Sequence, residues 1–349
     1  MTIEIAGRPI GPHHPPFVIA EMSGNHNLSL ERALSIVDAA AVAGVDAIKL
    51  QTYTADTITL NVRGGSFEIN DSDSLWYGKN LHDLYQQAYT PWEWHLPIMV
   101  RAKELGLICF SSPFDETAVD FLEDLDAPAY KIASFENNHL PLISKAAETG
   151  KPLIISTGMA SSADLERAVS TARHAGCNQL ILLKCTSTYP ANPCNTNIRT
   201  IPHLKELFNV QVGLSDHTKG VGVSVASIAL GSTVIEKHFT LSRADGGVDS
   251  AFSLEPCEMK SLVLETKRAW ESLGEIRYGP TKSEIKSLGF RRSIYVCKDI
   301  CIGDTFTRDN LRIVRPGNGA PPHLFDTLLG KVSRFSYSAG TPLSLDDLL

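Results

Sequence analysis

The sequence has no long hydrophobic run. No stretch reaches the roughly 18 apolar residues that a membrane helix requires, so no spanning segment is expected. It also has no basic block. Its 32 lysines and arginines are dispersed among 39 acidic residues, leaving a formal net charge of -7. That argues against a nucleic-acid footprint, yet a local cationic cluster could still oppose a small anion. Cysteine is sparse, and the closest pair, Cys297 and Cys301, has the wrong spacing for a zinc knuckle. A reduced, cytoplasmic protein is expected. The opening MTIEIAGRPIGPHHPP has no apolar h-region, so no signal peptide is expected. Neither G-x-S-x-G nor H-E-x-x-H occurs, which removes two common hydrolase signatures.

What the chain does have is a repeated switch of period. Eight short apolar runs end in polar residues: FVIAE (17–21), AIKLQTY (47–53), LICFSSPF (107–114), AYKIAS (129–134), PLIISTG (152–158), QLILLKCTSTY (179–189), VQVGLSDH (210–217) and VIEKHF (234–239). Between them the pattern is helical. In SLERALSIVDAAAVAG, Leu30, Ala33, Leu34, Val37 and Ala41 share one face, with Ser29 as N-cap and Gly44 closing the helix. Glycines recur at that joint, at 106, 150 and 176. Strands apolar throughout fit a sheet covered on both faces. Eight alternations predict a (β/α)8 barrel whose C-terminal strand ends form one polar mouth. An open doubly wound sheet is the competing arrangement, but it would not gather all eight ends.

Side chains two apart on a strand share a face. Lys49 therefore points with Gln51, Ser187 with Tyr189, Ser215 with His217, and Glu236 with His238, while Lys184 has the opposite parity and misses the pocket. Lys49 and Lys131, read as lying on adjacent strands, with Ser112, Ser134, Ser156, Ser187 and Ser215, suit a substrate bearing carboxylate and phosphate groups. His217 and His238 end adjacent strands and form a candidate divalent-metal pair, flanked by Asp216 and Glu236. The other nine histidines are read as structural or exposed. GVGVSVASIALG (220–231) reads as a small-residue helix on the barrel.

After residue 274 the pattern changes. Residues 275–290 read as a linker, and 291–349 as a small, mostly β module in which Arg315 sits on a turn within RPGNG. Residues 1–274 are then the barrel.

The motifs EMSGNHN, DAIKLQTY, YKIASFE, IISTGM, KCTSTYP, GLSDHT, VIEKHFT and SLEP, in that order, resemble the sialic acid synthases. RRSIYV and NLRIVRPGNG resemble the antifreeze-like (SAF) module that follows their barrel. The resemblance implies a transferase that condenses phosphoenolpyruvate with an amino sugar. Lys49, Ser112, Lys131, Ser134, Ser156, Ser187 and Ser215 would hold phosphoenolpyruvate, and His217 and His238 would hold Mn²⁺, Mg²⁺ or Co²⁺. Glu21, Gln51, Tyr189 and Asp249 would contact the sugar, with Glu21, Asp249, Lys49 and Lys131 in catalytic roles. It further implies a homodimer with swapped SAF modules, each placing Arg315 near the partner subunit's sugar. Met22-Ser23-Gly24, KLQTYTADT and VDSAFSLEP resemble the pseudaminate branch, whose deoxygenated diacetamido sugar calls for an apolar pocket; Met22 and Phe252 are expected to line it. The neighbouring alternatives are N-acetylmannosamine and the legionaminate precursor. A Schiff-base aldolase using Lys49 or Lys131, and a non-catalytic carbohydrate binder, are the more distant ones.

Overall fold

The computed structural model describes residues 2–345. A short antiparallel hairpin, β1 (Ile3–Ile5) and β2 (Arg8–Ile10), opens the chain. The eight apolar runs become β3 (Phe17–Glu21), β4 (Ala47–Thr52), β5 (Ile108–Pro113), β6 (Tyr130–Ile132), β7 (Leu153–Ser156), β8 (Leu180–Cys185), β9 (Gln211–Ser215) and β10 (Val234–His238). They pair in parallel and close into a barrel, β10 returning to β3. This is the expected (β/α)8 fold.

The first long helix, Leu30–Ala43, starts where Ser29 accepts a hydrogen bond from the Arg32 amide and ends at Gly44 with φ 83°. Its fully buried stripe is Ala33, Ile36, Val37 and Ala40, while Leu34 and Ala41 are only partly buried. The covered face is thus rotated slightly from the one read in the sequence. Gly106, Gly150 and Gly176 also take positive φ, at 76°, 73° and 96°, as their place after a helix requires. The small-residue segment forms the helix Gly222–Ala229.

Alternation sorts the strand residues into two cores. Phe17, Ile19, Ala47, Phe110, Ala129, Ile154, Ile181, Leu183 and Val234 fill the barrel interior, joined by Ile3, Ile5 and Ile10 of the hairpin. Val18, Ala20, Ile48, Tyr130, Ile155, Leu182, Val212 and Ile235 face the helices. The interior positions one step further along the strands are where the apolar filling stops and Glu21, Lys49, Ser112, Lys131, Ser156, Ser215 and Glu236 begin. All seven are at most 5% exposed. The fold therefore stacks a charged layer directly on an apolar plug.

Between β4 and β5 the chain makes an excursion with helices Ala55–Ile58, Leu81–Ala88 and His95–Glu104. The chain divides into two compact units, 1–274 and 275–349. In the second, β11 (Ser293–Val296) and β12 (Leu311–Val314) pair antiparallel over a core of Ile294, Val296, Ile300, Phe306, Leu311, Phe325, Leu328 and Leu343. Glycine, proline and aspartate turns hold the rest of that unit, and Arg315 lies exposed on one of them.

Candidate active site

Register brings the charged layer together. Glu21 pairs across the sheet with Lys49 on one side and with His238 on the other. Lys49 Nζ lies 2.6 Å from Glu21 Oε2, donates to Ser112 Oγ at 3.0 Å and is 3.8 Å from Glu236 Oε2. Lys131 Nζ is 3.7 Å from Glu236 Oε1, which also accepts from Ser215 Oγ at 2.9 Å. Gln51 Nε2 donates to Glu21 Oε1 at 2.9 Å. The lysine strands are not adjacent, since β5 stands between β4 and β6, and the two lysines are interleaved with two carboxylates and not with serines alone. Glu236 is the correction: it belongs to the lysines and not to the histidine pair.

Burial acts on this layer unevenly. It pushes Glu21 up to about 7 against the opposing pull of Lys49. For Lys49, burial works downward, but Glu21 and Glu236 outweigh it and hold the ammonium above its usual range. For Lys131, burial dominates and the pKa falls despite Glu236.

Above this layer stand the imidazoles. His217 and His238 have ring centroids 5.3 Å apart. His217 Nδ1 lies 3.0 Å from the Thr186 carbonyl, so Nδ1 carries a proton and in the neutral ring Nε2 keeps its lone pair. Against burial, Cys185 and the Thr186 carbonyl hold the imidazole above its usual range, so a metal at Nε2 would compete with a proton. His238 Nδ1 is buried without a hydrogen-bond partner among the described residues and lies 3.9 Å from Asp249 Oδ2. Asp249 is itself tied to Ser23 Oγ. No cluster of three or more His, Cys, Asp or Glu side chains poised for a metal occurs among the described residues. The chain thus offers two imidazoles with free lone pairs, which fits an open site completed by water and substrate. Asp216, expected beside this pair, faces the helices and pairs with Lys237 at 2.9 Å.

A cavity of about 380 Å³ opens here, reached by Ser23, Gln51, Ser134, Tyr189, His238 and Asp249. Its far wall is apolar: Tyr53, Ile58, Ile69, Trp76, Leu81, Leu84, Tyr85 and Phe114, mostly from the excursion after β4. Met22 is not part of it; its outward parity buries it completely among the helix-facing core. Phe252, expected there with Met22, does not line the cavity either; it stands behind the imidazoles, 4.9 Å from the His238 ring and 5.2 Å from that of Tyr189. Lys184 misses the barrel interior, as its parity required, and borders a separate outer cleft of about 1020 Å³.

The hydroxyls close round one glycine. A Cβ on Gly158 would sit 2.1 Å from Ser187 Oγ and 2.5 Å from Ser134 Oγ, while Ser156 Oγ is buried without a hydrogen-bond partner among the described residues. The motif EMSGNHN supplies braces as well as Glu21. Asn25 Nδ2 donates to the Phe239 carbonyl and Ser253 Oγ, and His26 Nε2 meets Thr90 Oγ1 at 3.1 Å.

Two groups escaped the sequence reading. Cys185 occupies an interior position of β8, with Sγ 3.8 Å from His217 Nδ1; strand parity would have found it. Glu136 lines the cavity two residues after Ser134. Burial pushes its carboxyl to about 7, opposed by Lys131 and Lys49. A carboxyl raised on folding favours the folded state at low pH and loses that advantage as pH rises from its unfolded value toward 7. Glu136→Gln is therefore expected to gain stability relative to the parent between pH 4.5 and 7, with no further change above. Urea titrations at stepped pH measure this; parallel curves would contradict it.

The chain matches the NeuB family over residues 36–278 and a SAF domain over 291–349. A pseudaminic acid synthase of Campylobacter jejuni is 43% identical over 95% of this chain and 96% of its own length. An N,N'-diacetyllegionaminic acid synthase of the same species is 34% identical over 92% and 96%. The crystal structure of an N-acetylneuraminic acid synthetase from Leptospira borgpetersenii, in complex with citrate, superposes with a TM-score of 0.72 at 31% identity, over 82% of this chain and 95% of that one. With the barrel, its polar mouth and the matched segments in agreement, the chain belongs to the NeuB family and carries a SAF domain after its barrel.

Proposed function

We propose that this protein makes pseudaminic acid from phosphoenolpyruvate, 2,4-diacetamido-2,4,6-trideoxy-β-L-altropyranose and water, releasing phosphate. The observation that carries the reading is the layering of one mouth. A lysine, glutamate and serine floor suits a phosphorylated carboxylate, and an apolar-walled chamber above it suits a sugar carrying a methyl and two acetamido groups. The higher identity to a pseudaminate synthase than to a legionaminate synthase supports the same choice.

In this reading Lys49, Lys131, Ser112, Ser134, Ser156, Ser187 and Ser215 orient the phosphate and carboxylate and neutralise their charge. The enol carbon C3 attacks C1 of the open-chain sugar. The C2 cation that results takes up water, and the tetrahedral adduct expels phosphate by C–O cleavage. Glu21 and Glu136, both raised to about 7, hold or accept protons at this pH. Gln51, Tyr189 and Asp249 orient the sugar hydroxyls. The chemistry a divalent ion, Mn²⁺ by preference, supplies when held by His217 and His238 is Lewis-acid polarisation of the sugar aldehyde. By family resemblance the enzyme acts as a homodimer in which Arg315 serves the partner subunit's sugar; a single-chain mass in sedimentation at working concentration would remove that part.

Phosphate release with the altrose, the legionaminate precursor and N-acetylmannosamine, each with and without Mn²⁺ after chelation, tests the whole. Turnover is expected with the altrose at the highest kcat/KM, lost on chelation and restored by the ion. Equal or better turnover with either other sugar would move the assignment within the family. Activity that survives chelation and is trapped by borohydride would point instead to a lysine Schiff base.

A further inference from the structure

We infer that Lys237, through its ammonium's bonds to the backbone carbonyls on either side of His217, is the positioning residue that sets the spacing of the two imidazoles. The inference rests on the metal reading above. On the β3 side, β10 is paired to its last residue, His238 opposite Glu21. On the β9 side the paired register ends at Glu236 opposite Ser215. Only one further backbone bond follows, Asp216 N–H to the Glu236 carbonyl at 2.9 Å. His217 therefore lies beyond the ladder that joins its strand to that of His238. From its other side it is tied through Ala191 N–H and the Thr186 carbonyl.

Lys237 closes that gap. Parity puts its side chain on the outer face of the sheet, and it is 1% exposed. Its Nζ donates to the carbonyls of Thr218 at 2.5 Å and Asp216 at 3.4 Å, the two residues that bracket His217. The same ammonium meets Asp216 Oδ2 at 2.9 Å. Asp216 is in turn fixed by Ser224 Oγ at 2.6 Å and by the Thr218 amide at 2.9 Å. One residue past Lys237 along β10 is His238. A single ammonium thus takes over from the backbone ladder and couples the two strand tips. A buried pair kept only for stability would need the carboxylate; this one spends its other donors on the backbone around an imidazole.

Titration calorimetry with Mn²⁺ alone, without substrate, tests this. Asp216→Asn/Lys237→Met removes both charges, so no uncompensated ion is buried and the chain should fold. Its Mn²⁺ Kd is expected to rise about 10- to 100-fold, as for other groups that orient metal ligands. Its phosphoenolpyruvate Kd should stay within about twofold of the parent. Asp216→Asn alone leaves an unpaired buried ammonium and costs folding stability, but it keeps both carbonyl bonds, and the folded protein is expected to change its Mn²⁺ Kd less than about threefold. A folded double variant with parental Mn²⁺ affinity would overturn the clamp. If His217→Ala binds Mn²⁺ as the parent does, the metal reading fails and the clamp with it. If Asp216→Asn loses as much affinity as the double variant, the carboxylate is the operative group and Lys237 is not.

Discussion

Lys49→Met is expected to lower kcat/KM for phosphoenolpyruvate by about 10²- to 10⁴-fold. The Lys49 ammonium lies against two buried carboxylates, 2.6 Å from Glu21 and 3.8 Å from Glu236. Truncating a charged group that meets an oppositely charged ligand in a buried contact costs roughly 3–5 kcal/mol of binding, much of it from leaving the partner's charge unpaired. At about 1.4 kcal/mol per decade that gives the stated range. The floor would then answer by taking up protons: burial has already pushed Glu21 to about 7 against the pull of this lysine. A negatively charged substrate would meet one cation where there had been two. Steady-state phosphate release at saturating sugar measures the loss, and circular dichroism checks that the barrel persists. A folded variant within tenfold of the parent would mean that Lys49 only neutralises its neighbours. The same geometry bears on the Schiff-base alternative. The two carboxylates hold Lys49 above its usual range, which is the wrong direction for a nucleophilic amine. Lys131, lowered by burial, is the lysine that borohydride trapping would have to find.

Much of this floor could be read from the chain because a strand has a period of two. Parity set Lys49 with Gln51, Ser215 with His217 and Glu236 with His238, and turned Lys184 outward, while the glycines at 44, 106, 150 and 176 marked where four of the strands begin. Parity gives the face but not the neighbour. It could not say that Glu236 would sit between two lysines, since that depends on which strands adjoin after closure. Asp216 is a different case: its parity is opposite to that of His217, so the strand's own period puts it on the other side of the sheet. Met22 follows the same rule: the sugar's apolar groups made it a candidate for the pocket, but its parity is opposite to that of Glu21 and turns it toward the helices. The apolar wall was hidden for a different reason. Tyr53, Trp76, Leu84 and Tyr85 come from an irregular excursion whose path is set by tertiary packing, and no local period announces it. The reach of Gly158 was equally invisible, because it concerns space and not conformation.

That space is where the second large effect is expected. Gly158→Ala should raise KM for phosphoenolpyruvate by about 100-fold while leaving KM for the sugar within about threefold. Gly158 has no positive φ, so alanine is not excluded by its backbone. The added methyl would instead lie 2.1 Å from Ser187 Oγ, 2.5 Å from Ser134 Oγ and 2.8 Å from Ser134 Cβ, closer than atoms can pack. The loop cannot simply withdraw. Asn137 Nδ2 holds the Gly158 carbonyl at 2.9 Å and that of Ser156 at 3.3 Å, strapping it to the segment that carries Ser134. Both hydroxyls must therefore rotate away from the mouth, and the contact with Ser134 Cβ, which rotation cannot relieve, must shift that residue's backbone as well. Each hydrogen bond to a charged group contributes about 1.5–3 kcal/mol, so losing two that act together is consistent with two decades. Initial-rate kinetics with each substrate varied in turn measures the split. Equal rises in both KM values would show that these hydroxyls serve the sugar as much as the phosphate. An unchanged KM for phosphoenolpyruvate in a stably folded variant would remove Ser134 and Ser187 from its binding site.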